Sequence, residues 1–253
     1  MMVMRWLVSA VAIAVMVTSG AHAQSIGDRV AGVREGKVRL SFTARPGVCG
    51  NGRNIMTSRS TDDWESTCEG GPVRVVLRVR NREVIDLDTY VGGRWRSEAE
   101  EMSDLGAVPA PAAAAYLLYL VRTGSGNAAK DAVFAATLAD SANVWPDLLA
   151  VAKDATRPRA VRRAAVFWVG QEAAAEVASE LEEIVDDDAG DLEVREHAVF
   201  ALSQRRDDGS VDALLRIART HPDARIRKKA LFWLGQSDDP RALELFEEIL
   251  TKP

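Results

Sequence analysis

Residues able to do covalent or metal chemistry are sparse in this chain. Its 253 residues hold two cysteines, Cys49 and Cys68, and three histidines, His22, His197 and His221. A thiolate nucleophile or a zinc centre would need these residues gathered with further ligands. No second Cys or His pair stands near Cys49 and Cys68, so a metal site there lacks ligands. The remaining chemistry of two thiols is a disulfide. It would close a loop of about 20 residues and contribute roughly 3 kcal/mol in the chain-entropy picture. A Ser-His-Asp site needs a His held by an Asp and facing a Ser. His197 falls in an apolar-periodic run and His221 precedes Pro222 in a polar loop, and neither brings the convergent groups a catalytic site requires. The Gly-rich loop ending in Gly-Lys-Ser/Thr that cradles nucleotide phosphates is absent. Asp186-Asp187-Asp188 reads as a solvated helix end, because Ca²⁺ takes about six to eight oxygens in a loop of fixed geometry. We assign no catalytic residue, metal or cofactor, and the chain reads as a binder rather than an enzyme.

The ends and the charge place that binder. Arg5 is followed by an apolar run from Trp6 to Val17 and then by Ala21-His22-Ala23. That is the charged, apolar and small-x-small order of a cleaved export signal, residues 1–23, with cleavage after Ala23. The run is short of the about 20 apolar residues of a membrane span. The expected location is therefore the periplasm or the exterior, without stable membrane insertion after cleavage. Residues 24–106 carry 13 basic and 13 acidic side chains, whereas residues 107–253 carry 18 and 24. An acidic half argues against nucleic acid, whose phosphates call for a basic face.

Two regions must position whatever the chain binds. Residues 24–106 are rich in Gly, Arg, Thr and β-branched residues. Lys37–Ala44 and Val73–Arg80 alternate polar and apolar, the second with a slip at Val76, and Val84–Val91 follows after a short polar turn. This predicts strands and a hairpin. So small a core is marginal alone, which gives a disulfide a purpose, and the region should pack on the first helices. Asp104–Pro111 holds one Gly and two Pro and reads as the boundary.

Residues 107–253 repeat. Val161-Arg162-Arg163-Ala164-Ala165-Val166-Phe167-Trp168-Val169-Gly170-Gln171 aligns with Val194–Gln204 at an offset of 33 and, one step on, with Ile226–Gln236 at 32. Phe134, Phe167, Phe200 and Phe232 share one register. Each unit then carries a second apolar-periodic segment: Leu148-Leu149 with Val151, Leu181 with Ile184-Val185, Leu214-Leu215 with Ile217, and Leu245-Phe246 with Ile249-Leu250. Spacings of three and four residues predict one buried stripe per helix. Asp191, Asp223 and Asp239 stand where N-caps belong. Each unit thus reads as helix, turn, helix, and stacking must bury what one pair cannot. A helix over Ala110–Arg122 is expected to cap the stack.

Asp191-x-x-Val194-Arg195-x-x-Ala198 and Asp223-x-x-Ile226-Arg227-x-x-Ala230 resemble HEAT repeats of the short bacterial kind, related to the phycobilisome lyases. The unit before them has Pro158 in place of the Asp. The resemblance implies an all-α solenoid of about four helix pairs, preceded by the disulfide-stapled β-rich region, α+β overall. Some HEAT-like proteins are di-iron hydroxylases carrying several His-Glu pairs, but here only the reversed pair Glu196-His197 occurs. In such stacks the ladder Arg162, Arg195, Arg227 pairs with acids between units, a reading that outweighs an anion-binding row. Trp168 and Trp233 are expected to fill the inter-repeat core, the alternative being exposed aromatics that anchor a partner. The second helices line the concave face of such solenoids. The candidate partner-binding residues are accordingly Glu176, Glu180, Glu183, Asp187, Arg216 and Arg219. The resulting expectation is an exported scaffold for a protein partner. The competing one is an envelope hydrolase or lyase, with its site at the junction of the β region and the repeats.

Overall fold

The computed structural model describes residues 25–57, 68–95, 102–172, 176–205 and 207–251. The expected export signal, residues 1–23, lies outside them, as does residues 58–67 of the loop between the cysteines. The chain divides into two compact units, Met1–Val144 and Trp145–Pro253.

In the first unit a helix over residues 25–31, α1, precedes six strands: β1 (Glu35–Phe42), β2 (Cys49–Asn51), β3 (Asn54–Met56), β4 (Val73–Arg80), β5 (Glu83–Val91) and β6 (Met102–Ala107). The main sheet runs β5-β4-β1-β6, and β2 and β3 form a separate hairpin. β1 is antiparallel to β4 and parallel to β6. The period-two pattern decides which face is core. Val38, Leu40 and Phe42 of β1 and Val73, Val75, Leu77 and Val79 of β4 are buried, while Val76 turns to the other face. The slip in alternation at Val76 is thus an apolar residue on the polar side. Asn81 and Arg82, with φ of 52° and 66°, turn β4 into β5. Two successive left-handed residues give the hairpin turn whose twist matches that of the strands. Cys49 and Cys68 are disulfide-bonded across 19 positions, as expected. The bond ties β2 to the chain that enters β4.

Met102–Ala107 closes the β region as the fourth strand of the sheet, joined to β1. The compact unit that holds the sheet runs past the expected boundary near residue 106, to Val144. Gly106, at φ 73°, sits where the register with β1 shifts. Helices α2 (Ala110–Thr123) and α3 (Gly126–Thr137) then pack on each other, and α3 packs on β5. The Ala-rich face of α3 (Ala128, Ala129, Ala132, Ala135, Ala136) is buried. Small side chains let a helix lie close to its neighbours. The helix expected over Ala110–Arg122 therefore exists, but it belongs to the unit that holds the sheet, and so does the first helix of the first predicted repeat.

The second unit opens with α4 (Trp145–Lys153). Three helix pairs follow among the described residues: α5 (Arg159–Gly170) with α6 (Val177–Asp186), α7 (Leu192–Ser203) with α8 (Asp208–Thr220), and α9 (Ala224–Leu234) with α10 (Pro240–Thr251). The first helices lie side by side, α5 on α7 on α9, and each second helix packs on the first helix of the next pair. The buried stripes fall where the periodicity placed them. Val177, Leu181, Ile184 and Val185 are buried on α6, and Ala213, Leu214 and Ile217 on α8. Each large aliphatic side chain removed from water contributes roughly 1.5–3 kcal/mol. The last stripe departs from expectation: Leu245 is buried, but Ile249 and Leu250 are exposed. Asp191 and Asp223 cap α7 and α9, accepting from the backbone N–H groups of Glu193 and Arg225. Asp239 accepts from that of Arg241 at the start of α10. Asp207 caps α8 in the same manner. Pro158 leads α5 without a side-chain cap. Gly170 has its place because a Cβ there would stand 2.8 Å from the Cβ of Ala201, so the α5–α7 crossing requires its absence.

Candidate interaction surface

The six residues named as a partner face come from α6, its flanks and α8, and most are already engaged. The Lys153 ammonium donates to Glu180 and Glu183, both at 2.7 Å, linking α4 to α6. Burial pulls the Lys153 pKa down, and the two carboxylates more than reverse this, leaving it raised. Arg216 of α8 pairs with Glu182 of α6, and Arg219 with Glu248 of α10 at 3.4 Å. The Asp187 carboxylate accepts from the backbone N–H of Ala189 at 3.2 Å. Glu176 stands at the N-cap of α6 without a side-chain cap bond, and its carbonyl accepts from the Ser179 hydroxyl. The charges of the second helices therefore form a zipper from one repeat to the next.

The first helices present a different face. At the Phe register, Phe167 and Phe200 are half-buried and Phe232 is 55% exposed. The rings run on without a gap across three helices. Phe167 lies 6.1 Å from Phe200 in a stacked arrangement, Phe200 lies 4.9 Å from Trp233, and Trp233 lies 4.9 Å from Phe232. Trp168 meets Phe167 edge-on at 5.1 Å. The tryptophans expected to fill the inter-repeat core are instead half-buried members of this surface row, because the core at this level is taken by Val166, Val199 and Ala230. Ion pairs flank the row: Arg159 and Arg163 of α5 with Glu193 of α7, and Lys229 of α9 with Glu196 of α7. His197 closes it, 5.3 Å from Phe200. Burial, aided by the Arg163 and Lys229 charges, lowers its pKa to about 4, so at neutral pH the ring is uncharged and acts as another aromatic surface.

The Arg ladder departs from the acid pairing implied by the resemblance. Arg162 Nε donates to the carbonyl of Ala152, Arg195 Nε to that of Val185, and Arg227 Nη1 to those of His221 and Pro222. Each is thus set against the C-terminal end of the preceding second helix, where carbonyls lack helical partners and the dipole favours a cation. Among the described residues only Arg195 adds an acid, Asp188 at 3.1 Å. His221 is buried, and its Nδ1 accepts the backbone N–H of Asp223 at 3.0 Å. That bond holds the turn into α9.

In the first unit, the polar side of the sheet carries Arg39–Asp104, Arg53–Asp88 and Arg78–Asp86 pairs. The Trp95 ring lies 5.2 Å from the Arg39 guanidinium and 5.6 Å from that of Arg74. With Cys49 held in the disulfide, no thiol is left there for nucleophilic chemistry. Among the described residues no group of three His, Cys, Asp or Glu is placed to hold a metal ion. No described helix is long and apolar enough to cross a membrane.

No curated protein matches the chain. A family model does, the one described as HEAT repeats, over residues 188–253. The helix pairs α7–α8 and α9–α10 lie inside that span, so the similarity to HEAT repeats covers the last two pairs of the second unit.

Proposed function

We propose that the chain is an exported scaffold that holds a protein partner on its repeat helices and performs no catalysis. HEAT repeats in general serve protein interaction. The observation that carries the reading here is the aromatic row Phe167–Trp168–Phe200–Trp233–Phe232, kept half-buried to exposed across three helices. Aromatic side chains give large contact areas at low entropic cost and dominate binding hot spots. The charged zipper of the second helices is the lesser candidate, since a partner would have to compete with existing pairs. Export to the periplasm or the exterior rests on the residue order of 1–23 and on a disulfide, which persists in oxidising compartments. The acidic repeats argue against nucleic acid. The Asp-x-x-Val/Ile-Arg-x-x-Ala pattern supports reading the repeats as the short bacterial kind.

The test is cross-linking of the mature chain, Gln24–Pro253, in envelope extract, followed by mass spectrometry of the cross-linked peptides. The expected result is a stoichiometric protein partner mapped to α5, α7 and α9, with capture lost for Phe232→Glu and retained when Glu180, Glu183 and Asp187 are reversed to Lys. Capture that survives Phe232→Glu and fails on charge reversal would return the site to the second helices. A monomeric chain that captures nothing would sink the scaffold reading.

A further inference from the structure

The three guanidiniums of the Arg ladder are not equally served. Arg195 spends Nε on Val185, Nη2 reaches Asp188, and the same nitrogen lies 3.3 Å from His221 Nε2. Arg227 gives Nη1 to two carbonyls. Arg162 donates through Nε alone, to Ala152 O at 3.1 Å. Its two terminal nitrogens have no protein acceptor among the described residues, although the residue is only 6% exposed. Asp154 feels its charge, but that carboxylate is spent on the hydroxyl and N–H of Thr156. Guanidinium N–H groups that no protein acceptor takes are open to a ligand or to water.

Arg162 lines a cleft of about 240 Å³ with Lys153, Arg195, Glu183, Asp187 and Asp191. The other charges on its wall are occupied. Glu183 holds Lys153, Asp191 caps α7 and holds Arg159, and Asp187 accepts from Ala189. What the cleft offers a visitor is one cationic fork with its outer N–H groups unspent. A carboxylate fits that fork through two parallel hydrogen bonds. A dianion such as phosphate is disfavoured by three carboxylates on the same wall. The cleft is also smaller than the roughly 300 Å³ at which pockets for drug-sized molecules begin, so the occupant is the size of a side chain or a chain end. The geometry points to a carboxylate-binding site centred on Arg162, taking a single carboxylate from a free small acid or from a peptide C-terminus. The inference stands on this cleft and does not depend on the scaffold reading.

The experiment titrates the full chain with acetate, with a tripeptide bearing a free C-terminus, with the same tripeptide amidated, and with inorganic phosphate, following the Arg Nε–H resonances by NMR. The acid-ended probes should shift the Arg162 signal, and the amide and phosphate should not. Acetate binding as well as the peptide identifies a free-acid site, and a peptide binding at least tenfold tighter identifies a chain end. Arg162→Lys, which keeps the charge but loses the fork, should weaken binding about tenfold. Asp187→Asn removes a like charge and keeps an acceptor for Ala189, so it should tighten binding about threefold at low salt. The site is overturned if the amide or phosphate binds as well as the acid, or if Arg162→Lys binds unchanged. It is equally overturned if no probe shifts the signal while the variants remain folded, which would leave water as the partner of Arg162.

Discussion

The two units solve the same problem of burying apolar surface by opposite routes. In the first, the sheet core depends on partners far apart in the chain: β1 pairs with β4 and with β6, so Val38 meets both Leu77 and Ser103. In the second, helices α4 to α9 pack on helices one or two places away in sequence, and the same packing recurs from repeat to repeat. Loop-closure entropy is the larger burden in the first unit, and that is where the disulfide is found. The second unit needs no covalent tie, because each of its contacts closes a short stretch of chain. The lesson for function is that a repeated packing scheme frees surface positions to repeat as well. It is in the second unit that aromatic residues line up across three helices.

The sharpest way to break this comparison is to empty one core position in each unit. Leu77 and Leu202 are both fully buried, and truncation of either to Ala should cost about 2–5 kcal/mol. The expected difference is in reach. Leu77→Ala should lower hydrogen-exchange protection across β1, β4, β5 and β6 together, whereas Leu202→Ala should lower it most in α7 and its neighbours and grade off along the stack. Equal spread in both would show the repeats to be as cooperative as the sheet.

Next in size is the disulfide. Replacing Cys49 and Cys68 together by Ser should cost roughly 3 kcal/mol, read as a lower urea midpoint for β2–β5 amides, with protection in α5–α10 unchanged. A smaller effect is expected at His197. Its pKa in the fold, about 4, lies below the ordinary 6.5. Both states are neutral above pH 6.5. As pH falls from 6.5 towards 4 the unfolded chain takes the proton first, so stability is lost over that window and levels off below it. With solvent screening of this half-exposed ring the loss is on the order of 1 kcal/mol. Urea unfolding at pH 7 and pH 4.5 should show it in the native chain, and His197→Phe should remove that part of the pH dependence. An undiminished loss in the variant would assign it to other groups.

The smallest effect should come from the charged zipper. Lys153→Met removes two ion pairs at a partly exposed position, and such pairs contribute about 0–1 kcal/mol. The shift in thermal midpoint should be slight and should shrink further in salt. A large shift would mean that the second-helix charges hold the stack together and leave even less for a partner.

The sequence alone determined what depends on local periodicity and local chemistry. The alternation in Lys37–Ala44 and Val73–Arg80, the 33-residue step of the repeats and the caps at Asp191, Asp223 and Asp239 were all legible, because strand and helix faces follow from spacing and an N-cap needs only its own turn. The Cys pair was legible for lack of other partners. Tertiary structure decided the rest. Met102–Ala107 has no β-branched residue and carries a Gly, and it is a strand only because β1, more than 60 residues earlier, offers it an edge. The division between Val144 and Trp145 reflects what α3 packs against, which its Ala-rich sequence shares with any repeat helix. The Phe register was visible as a repeat, but whether it faced core or solvent turned on the way α5, α7 and α9 meet. Likewise Glu180, Glu183, Arg216 and Arg219 could be read as charged helix positions, while their engagement across repeats, and the unspent donors of Arg162 among them, required side chains from successive units to be brought side by side.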